Sequence, residues 1–353
     1  MIDTRLQKLK KAMSSGHFFY VSNPADIFYF TGFSGSFSRL LVSENKNYFL
    51  TDKRYAGVPE KTGIDKRCEI IITNNFRNEI KNILKGSRKI FIPPETPLVE
   101  YLYLVDLGFK PVIDDKISDI RMIKDDEEIN TIKDAIKINE KGILHILSIL
   151  KNNITEKELA DEFEYYIKKA GGDSVSFTSI IAYGKNSSIP HHETGNDRLK
   201  ENTLILIDSG VKYKGYCSDL TRIIGYRIIK SRLKAYLINY NIVKTAKNKS
   251  ASFYKSGSLT KQPDIFIKNY LKKYGLDTFF THSLGHGIGI DIHEKPYINQ
   301  KSNLKFKPGM VATCEPGIYF QNEYGIRIED DYLITNDAPV KLSKLSDEII
   351  IKE

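Results

Sequence analysis

Only three cysteines, Cys68, Cys217 and Cys314, occur in 353 residues, and no two of them form a C-x-x-C pair. An odd, scattered set excludes a disulfide framework and a structural zinc knuckle; it suits a reducing compartment, so a cytoplasmic protein is expected. Long apolar runs are also missing, since no window approaches the ~18 uncharged apolar residues of a membrane span. The opening MIDTRLQKLKKAM is charged and amphipathic, without the apolar centre of a secretory signal. No membrane partner and no export are expected. Blocks of five or more basic residues are absent too, although Lys+Arg 53 exceeds Asp+Glu 44 and gives a formal net charge of +9. Residues 1–124 carry 20 basic against 14 acidic side chains, and residues 125–353 carry 33 against 30. The surplus is thus a diffuse, Lys-rich surface rather than a binding stripe, and no nucleic-acid partner is expected.

Several catalytic signatures are lacking as well. Gly285-x-Gly287-x-Gly289 does not have the third-glycine spacing of a dinucleotide fingerprint, and His293-Glu294 is not followed by the second histidine of H-E-x-x-H. A P-loop and a G-x-S-x-G nucleophile elbow are not found. Repeats at solenoid periods and low-complexity tracts are absent.

What is present is a balanced globular composition, 41% hydrophobic and 27% charged, of a length that suits one or two domains. The first third alternates helical and strand-like pieces. Leu6, Leu9 and Met13 recur at helical spacing. His17 to Val21, Leu40 to Val42, Tyr48 to Thr51, Ile70 to Thr73 and Lys89 to Ile92 read as strands, with a helix around Arg77 to Leu84. This is an α/β domain over residues 1–122. From Asp125 the texture changes. Asp125 to Glu128 place negative charge on the first turn of a long helix whose stripe is Ile129, Ile132, Ile136, Ile143 and Ile146. Thr155 and Glu158 then form a capping box, and Gly171-Gly172 ends that second helix. Strands follow at Ser179 to Ala182, Leu204 to Asp208, Tyr216 to Ile224, Ile318 to Phe320 and Ile326 to Ile334, with helices at Arg232 to Lys247 and Pro263 to Lys273. The chain is therefore read as α+β, its second domain, residues 123–353, carrying a mostly antiparallel sheet.

Five of the seven histidines, His191, His192, His282, His286 and His293, fall within residues 191–293. His145 lies in an apolar helical context and reads as structural. Asp208 ends an apolar strand and Asp219 lies on the next. A hairpin centred near Tyr213-Lys214 would oppose the two aspartates at roughly 5 Å between Cβ atoms. Glu315 and Glu329 stand in the same relation about the polar loop Gln321 to Tyr324, and Arg327 shares the face of Glu329. Like charges opposed across a ladder destabilise it unless a cation lies between them. Glycines on both sides of His286 allow a close backbone approach of the kind a ligand loop requires. Singly, each acid is more often a surface residue. Jointly, four carboxylates and one imidazole suit a pair of Mn²⁺, Co²⁺, Fe²⁺ or Zn²⁺ ions and a metallohydrolase.

The ordered motifs I-D-S-G, C-S-D-L-T-R, G-H-G-I-G, I-H-E-x-P, C-E-P-G-I-Y and G-I-R-I-E-D-D resemble those of the pita-bread metallopeptidases, family M24. Within them the chain is similar to the proline-specific branch, the Xaa-Pro aminopeptidases (aminopeptidase P) and Xaa-Pro dipeptidases (prolidases), rather than to the shorter methionine aminopeptidases. Tyr29 to Phe33, Leu50 to Tyr55 and Arg121 to Lys124 resemble that branch's N-terminal creatinase/prolidase-type domain and its junction. One departure is Ile223, where the family more often carries Thr. The resemblance implies a curved pita-bread catalytic domain and two divalent metal ions per chain, manganese foremost, with cobalt, zinc or iron as alternatives. It makes Asp208, Asp219, His286, Glu315 and Glu329 the metal ligands, Asp219 and Glu329 bridging. It assigns His191 to the substrate, places His282 and His293 in the pocket, pairs Arg327 with the last glutamate and leaves His192 incidental. Short proline-containing peptides are the implied substrates and a homodimer the implied assembly. The alternative is a non-catalytic or non-peptidase pita-bread protein, a binding module or a creatinase-like enzyme.

Overall fold

The computed structural model describes residues 2–13, 16–87 and 89–353; Met1, at the start of the charged opening segment, lies outside them. The chain divides into two compact units, Met1–Arg121 and Met122–Glu353.

In the N-terminal unit, strands β1 (His17–Val21), β2 (Ser38–Ser43), β3 (Asn47–Thr51), β4 (Glu69–Ile72), β5 (Lys89–Ile92) and β6 (Pro111–Ile113) form one sheet in the order β4-β3-β2-β1-β5-β6. The β1–β2 and β2–β3 pairs are antiparallel, and β3–β4, β1–β5 and β5–β6 are parallel. The parallel pairs require crossovers, supplied by helices α3 (Val58–Thr62), α4 (Phe76–Leu84) and α5 (Leu98–Asp106); α1 (Ile2–Lys11), α2 (Pro24–Thr31) and α6 (Lys116–Met122) complete the set. Helix α2 has a complete local code: Asn23 accepts from the Ala25 N–H, Pro24 occupies the first turn, and Gly32 ends it at φ 76°.

The second unit opens with α7 (Asp126–Ile149) and α8 (Glu156–Lys169), each started by a reciprocal capping box, Asp125 with Glu128 and Thr155 with Glu158. The two helices pack closely at Gly142, where a Cβ would meet Phe163 Cε2 at 2.4 Å. Strands β7 (Ser174–Val175), β8 (Ile180–Tyr183), β9 (Thr203–Ser209), β10 (Val211–Tyr213), β11 (Tyr216–Cys217) and β12 (Leu220–Tyr226) come next. After α9 (Lys230–Ala251) and α10 (Lys261–Lys272) follow β13 (Gly285–Gly287), β14 (Glu294–Ile298), β15 (Val311–Cys314), β16 (Gly317–Phe320), β17 (Tyr324–Arg327), β18 (Asp330–Leu333), β19 (Val340–Lys341) and β20 (Ile350–Lys352). They assemble as β20-β12-β9-β8, β14-β13-β15-β18-β19, β11-β10-β7 and the hairpin β16-β17. Every pair is antiparallel except β12–β20. One apolar cluster, including Leu204, Leu206, Tyr240, Tyr254, Met310 and Ile328, backs these sheets. Among the described residues no helix is long and apolar enough to cross a membrane.

Two stretches read from sequence as single strands are each broken. Tyr216 to Ile224 is split at Ser218-Asp219, and Ile326 to Ile334 at Ile328-Glu329. The chain changes partner at both points: β11 pairs with β10 and β12 with β9, while β17 pairs with β16 and β18 with β15. An unbroken apolar pattern carries no mark of such a change. The freed backbone is still satisfied, because Asp219 N–H donates to Asp331 and Glu329 N–H to the Thr221 carbonyl.

Candidate metal centre

Both breaks deliver a carboxylate to one cavity of about 870 Å³, lined among others by Asp208, Asp219, Glu315 and Glu329. The first pair does not meet as the sequence suggests. The β10–β11 turn is Lys214-Gly215, at φ 46° and 81°, with Tyr213 opposite Tyr216. Left-handed conformations at both positions give the tight loop that matches strand twist. The register therefore lies one residue beyond the expected centre, and Asp208 faces Thr221 rather than Asp219. Asp219 is the diagonal neighbour on the same face, still within side-chain reach. The second pair does meet. Gly317 pairs with Arg327 and Cys314 with Asp330, one continuous frame that sets Glu315 opposite Glu329 at the handover between two sheets.

His286 is the central residue of β13, a strand rather than a ligand loop. Its glycine neighbours serve strand packing: a Cβ at Gly285 would meet the Thr313 carbonyl, and one at Gly287 the Lys295 carbonyl, each at 2.3 Å. His286 Nε2 lies 3.3 Å from Glu315 Oε1 and 3.8 Å from Asp219 Oδ2. Asp219, His286 and Glu329 each offer a donor atom within 4.8 Å of the other two.

The electrostatics are unbalanced. Burial, and then the neighbouring carboxylates, push Asp219 and Glu329 well above the usual range. Burial acts upward on Glu315 too, but the hydrogen bond and charge of His286 pull it down to about 2, and His286 is raised in turn. One guanidinium serves the whole group. Arg327 donates from one terminal nitrogen to Asp208 Oδ2 at 2.6 Å, from Nε to Thr221 at 3.1 Å, and from the other to Tyr319 at 2.7 Å and the Pro190 carbonyl at 3.3 Å. Among the described residues, Asp219 Oδ1 and Glu329 Oε1 stay buried without a hydrogen-bond partner. Unpartnered carboxylate oxygens, mutual repulsion and one imidazole are the surroundings that a divalent cation satisfies, so the residues present fit such an ion.

His191, His282 and His293 line the same cavity. Burial, and for His293 also the charge of His286, lowers both His282 and His293. The His293 and His286 rings meet edge to face, 4.2 Å between centroids. His282 holds the Ser283 carbonyl through Nδ1 at 2.8 Å, so Nε2 accepts from Tyr319 at 2.9 Å. Tyr319, which sequence reasoning missed, thus links Arg327 to His282, and burial raises its hydroxyl to about 12. Its signal was Gly317-x-Tyr319, because a Cβ at Gly317 would meet the Tyr319 hydroxyl at 2.4 Å. Thr221 was missed too: its hydroxyl lies 2.7 Å from Glu329 Oε2 and 3.1 Å from Asp208 Oδ1. His145, as expected of a structural residue, stacks on Tyr166 at 4.3 Å. His192, read from sequence as incidental, has its Nε2 2.8 Å from the buried Glu156.

Comparison with known proteins places this geometry in context. Residues 130–336 match the model of metallopeptidase family M24, and residues 5–123 that of the creatinase/prolidase N-terminal domain. The Xaa-Pro dipeptidase of Pyrococcus furiosus is 32% identical over 358 residues, covering 98% of this chain and 99% of that protein. Among solved structures, an Xaa-Pro dipeptidase from Bacillus anthracis superposes with a TM-score of 0.93 at 30% identity, covering all of both chains. An X-Pro aminopeptidase from Thermotoga maritima gives 0.88 at 30% identity, over 98% of this chain and 100% of that one.

Proposed function

The chain belongs to metallopeptidase family M24, and from that premise we propose that it is a metal-dependent exopeptidase cleaving the bond between an N-terminal residue and proline in short peptides. The observation that carries this reading is the pair of bare carboxylate oxygens on Asp219 and Glu329 beside His286 in the cavity. Asp208, Asp219, His286, Glu315 and Glu329 would hold the two divalent ions. When bound, such a pair supplies Lewis acidity that activates water near neutral pH and polarises the scissile carbonyl.

The chain's own residues do the rest. Glu315 takes a proton from the attacking water and delivers it to the prolyl nitrogen, a tertiary amide nitrogen that must be protonated to leave. His293 donates to the oxygen on which negative charge develops, and His191 positions the peptide. Arg327 holds Asp208, while the Ser283 carbonyl fixes the tautomer of His282 and Tyr319 orients its ring, so both side chains are oriented before substrate arrives. Manganese is the expected ion, a homodimer the expected assembly and the cytoplasm the expected setting, the last supported by three buried free thiols. All five ligand positions are present, which weighs against a binding module or a creatinase-like enzyme.

The test is turnover of Ala-Pro and Ala-Pro-Ala after chelation, with Mn²⁺, Co²⁺ or Zn²⁺ restored separately. Cleavage at the prolyl bond that returns with metal is expected, and the ratio of the two rates separates dipeptidase from aminopeptidase. No turnover of either peptide with any of the three ions would end the reading.

A further inference from the structure

The segment that carries His191 into the cavity has little regular structure of its own. It leaves β8 at Tyr183, makes one 3-10 turn over Gly184–Ser188 and continues as irregular chain past Gly195. Loops of this kind open readily unless their backbone is tied elsewhere. Here the ties converge on one side chain. Glu156, in the first turn of α8, is completely buried. Its Oε1 accepts from the Tyr183 N–H at 2.8 Å and from Asn186 Nδ2 at 2.8 Å. Its Oε2 accepts from His192 Nε2 at 2.8 Å and from the Gly195 N–H at 3.0 Å.

Four donors spread over thirteen residues, Tyr183 to Gly195, therefore meet a single buried carboxylate. The helix N-terminus adds favourable charge, and the burial makes each bond costly to lose. On the opposite side the segment bears on the hairpin that carries Arg327. Gly325 N–H donates to Ser187 Oγ at 2.8 Å, and Arg327 donates to the Pro190 carbonyl at 3.3 Å. His191 itself is exposed and has no such anchor among the described residues; the next residue, His192, has one.

We propose that Glu156 and His192 are positioning residues, a buried carboxylate–imidazole latch that holds the His191 segment in place over the centre for peptide cleavage. The proposal rests on the function proposed above only in what it assigns to His191. Although His192 also lines the cavity, its ring nitrogen Nε2 is engaged by Glu156, so the pair acts through the segment it holds. Nε2 of His192 must carry the proton, since its partner is a carboxylate.

The test compares His192→Ala, His192→Gln, Glu156→Gln and His191→Ala in the full-length, Mn²⁺-loaded protein. The readouts are kcat and KM for Ala-Pro-Ala, metal per chain, and amide exchange followed by mass spectrometry. Loss of a hydrogen bond to a charged group corresponds to roughly tenfold. His192→Ala and Glu156→Gln are expected to lower kcat/KM about tenfold, mainly through KM, with metal content unchanged. Exchange should quicken about tenfold in peptides spanning 183–195 and stay as in the wild type in β9. His192→Gln, whose amide reaches a similar position, should recover most of the loss. Should Glu156→Gln not fold, His192→Ala decides alone, its side chain being 13% exposed. Unchanged kcat/KM in His192→Ala, with His191→Ala impaired, overturns the latch and leaves the proposed function standing. Loss accompanied by metal release and faster exchange in β9 also overturns it, as a general structural role. Full activity in His191→Ala would instead overturn the role given to His191, and the latch with it.

Discussion

In the N-terminal unit Asp26 lies 2.7 Å from Arg121, both side chains buried, while Arg5 donates to the Tyr29 carbonyl at 3.2 Å. Glu100, partly buried, takes Arg39 and the Tyr20 hydroxyl. Each of these charges withdrawn from water has its partner. The catalytic unit does the same at Asp330, which holds Arg222 at 2.6 Å together with Lys247 and Ser343. One residue earlier, Glu329 faces the other way, as alternation along an extended chain requires, and leaves Oε1 bare. Consecutive carboxylates, equally buried, thus meet opposite fates. Asp26, Glu100 and Asp330 are satisfied where they hold the fold, whereas on the face that lines the cavity both Asp219 and Glu329 keep a bare oxygen. The contrast marks the site more sharply than burial or charge alone, because a paired buried acid is common and an unpaired one is costly.

The strongest way to break that contrast is to remove a carboxylate from the unbalanced face. Glu315→Ala is expected to lower kcat by roughly 10³-fold, in line with loss of a general acid–base group, and to bind one metal fewer per chain. Elemental analysis and steady-state rates on one preparation check both. Full activity with two ions retained would show that Glu315 is neither ligand nor proton carrier.

A paired acid should behave in the opposite sense. Asp26→Ala removes the carboxylate from beside a buried guanidinium, so the N-terminal unit is expected to lose about 3–5 kcal/mol in denaturant unfolding. Metal content should stay at the wild-type value. A loss below 1 kcal/mol would mean that the Asp26–Arg121 pair is no more than an exposed-type bridge.

Much of this was legible in sequence where the determinants are local. Helices α7 and α8 announce themselves by their first turns, and β1 and β5 by apolar runs between turn residues. Glu315 and Glu329 were placed opposite one another because a single frame runs through both halves of the hairpin. The partner expected for Asp208, Asp219, lies two residues short of the observed one, Thr221, because the hairpin centre sits one residue further on, and the missed signal was Lys214-Gly215, a lysine that adopts positive φ before a glycine. Helix α5 was overlooked because Leu98, Val99 and Leu102 are exposed and blur its amphipathic stripe. Tyr319, Thr221 and Glu156 were not given roles for a different reason. Their partners arrive from distant segments, Glu156 reaching residues 27 to 39 positions away, and periodicity has nothing to say about such meetings.

The smallest of these effects divides the two units most directly. A ligand that binds only the folded state stabilises it by RT ln(1 + [L]/Kd), about 2.7 kcal/mol at a hundred times Kd. In the catalytic unit, Mn²⁺ at that concentration would occupy the bare oxygens of Asp219 and Glu329 and relieve the repulsion among four carboxylates that Arg327 only partly offsets. In the N-terminal unit no comparable shortfall exists at Asp26 or Glu100, and the same ion has nothing to satisfy. Amide exchange after chelation, with and without restored Mn²⁺, should therefore slow about a hundredfold in the most protected peptides of β9, β12 and β18, and remain unchanged in those of β1, β2 and β5. Equal slowing in both sets would show that the units open together, so that the division drawn from charge pairing is not a division in stability. Slowing in neither would remove the metal centre itself, because ions that bind these carboxylates cannot leave the apo and loaded forms equally stable.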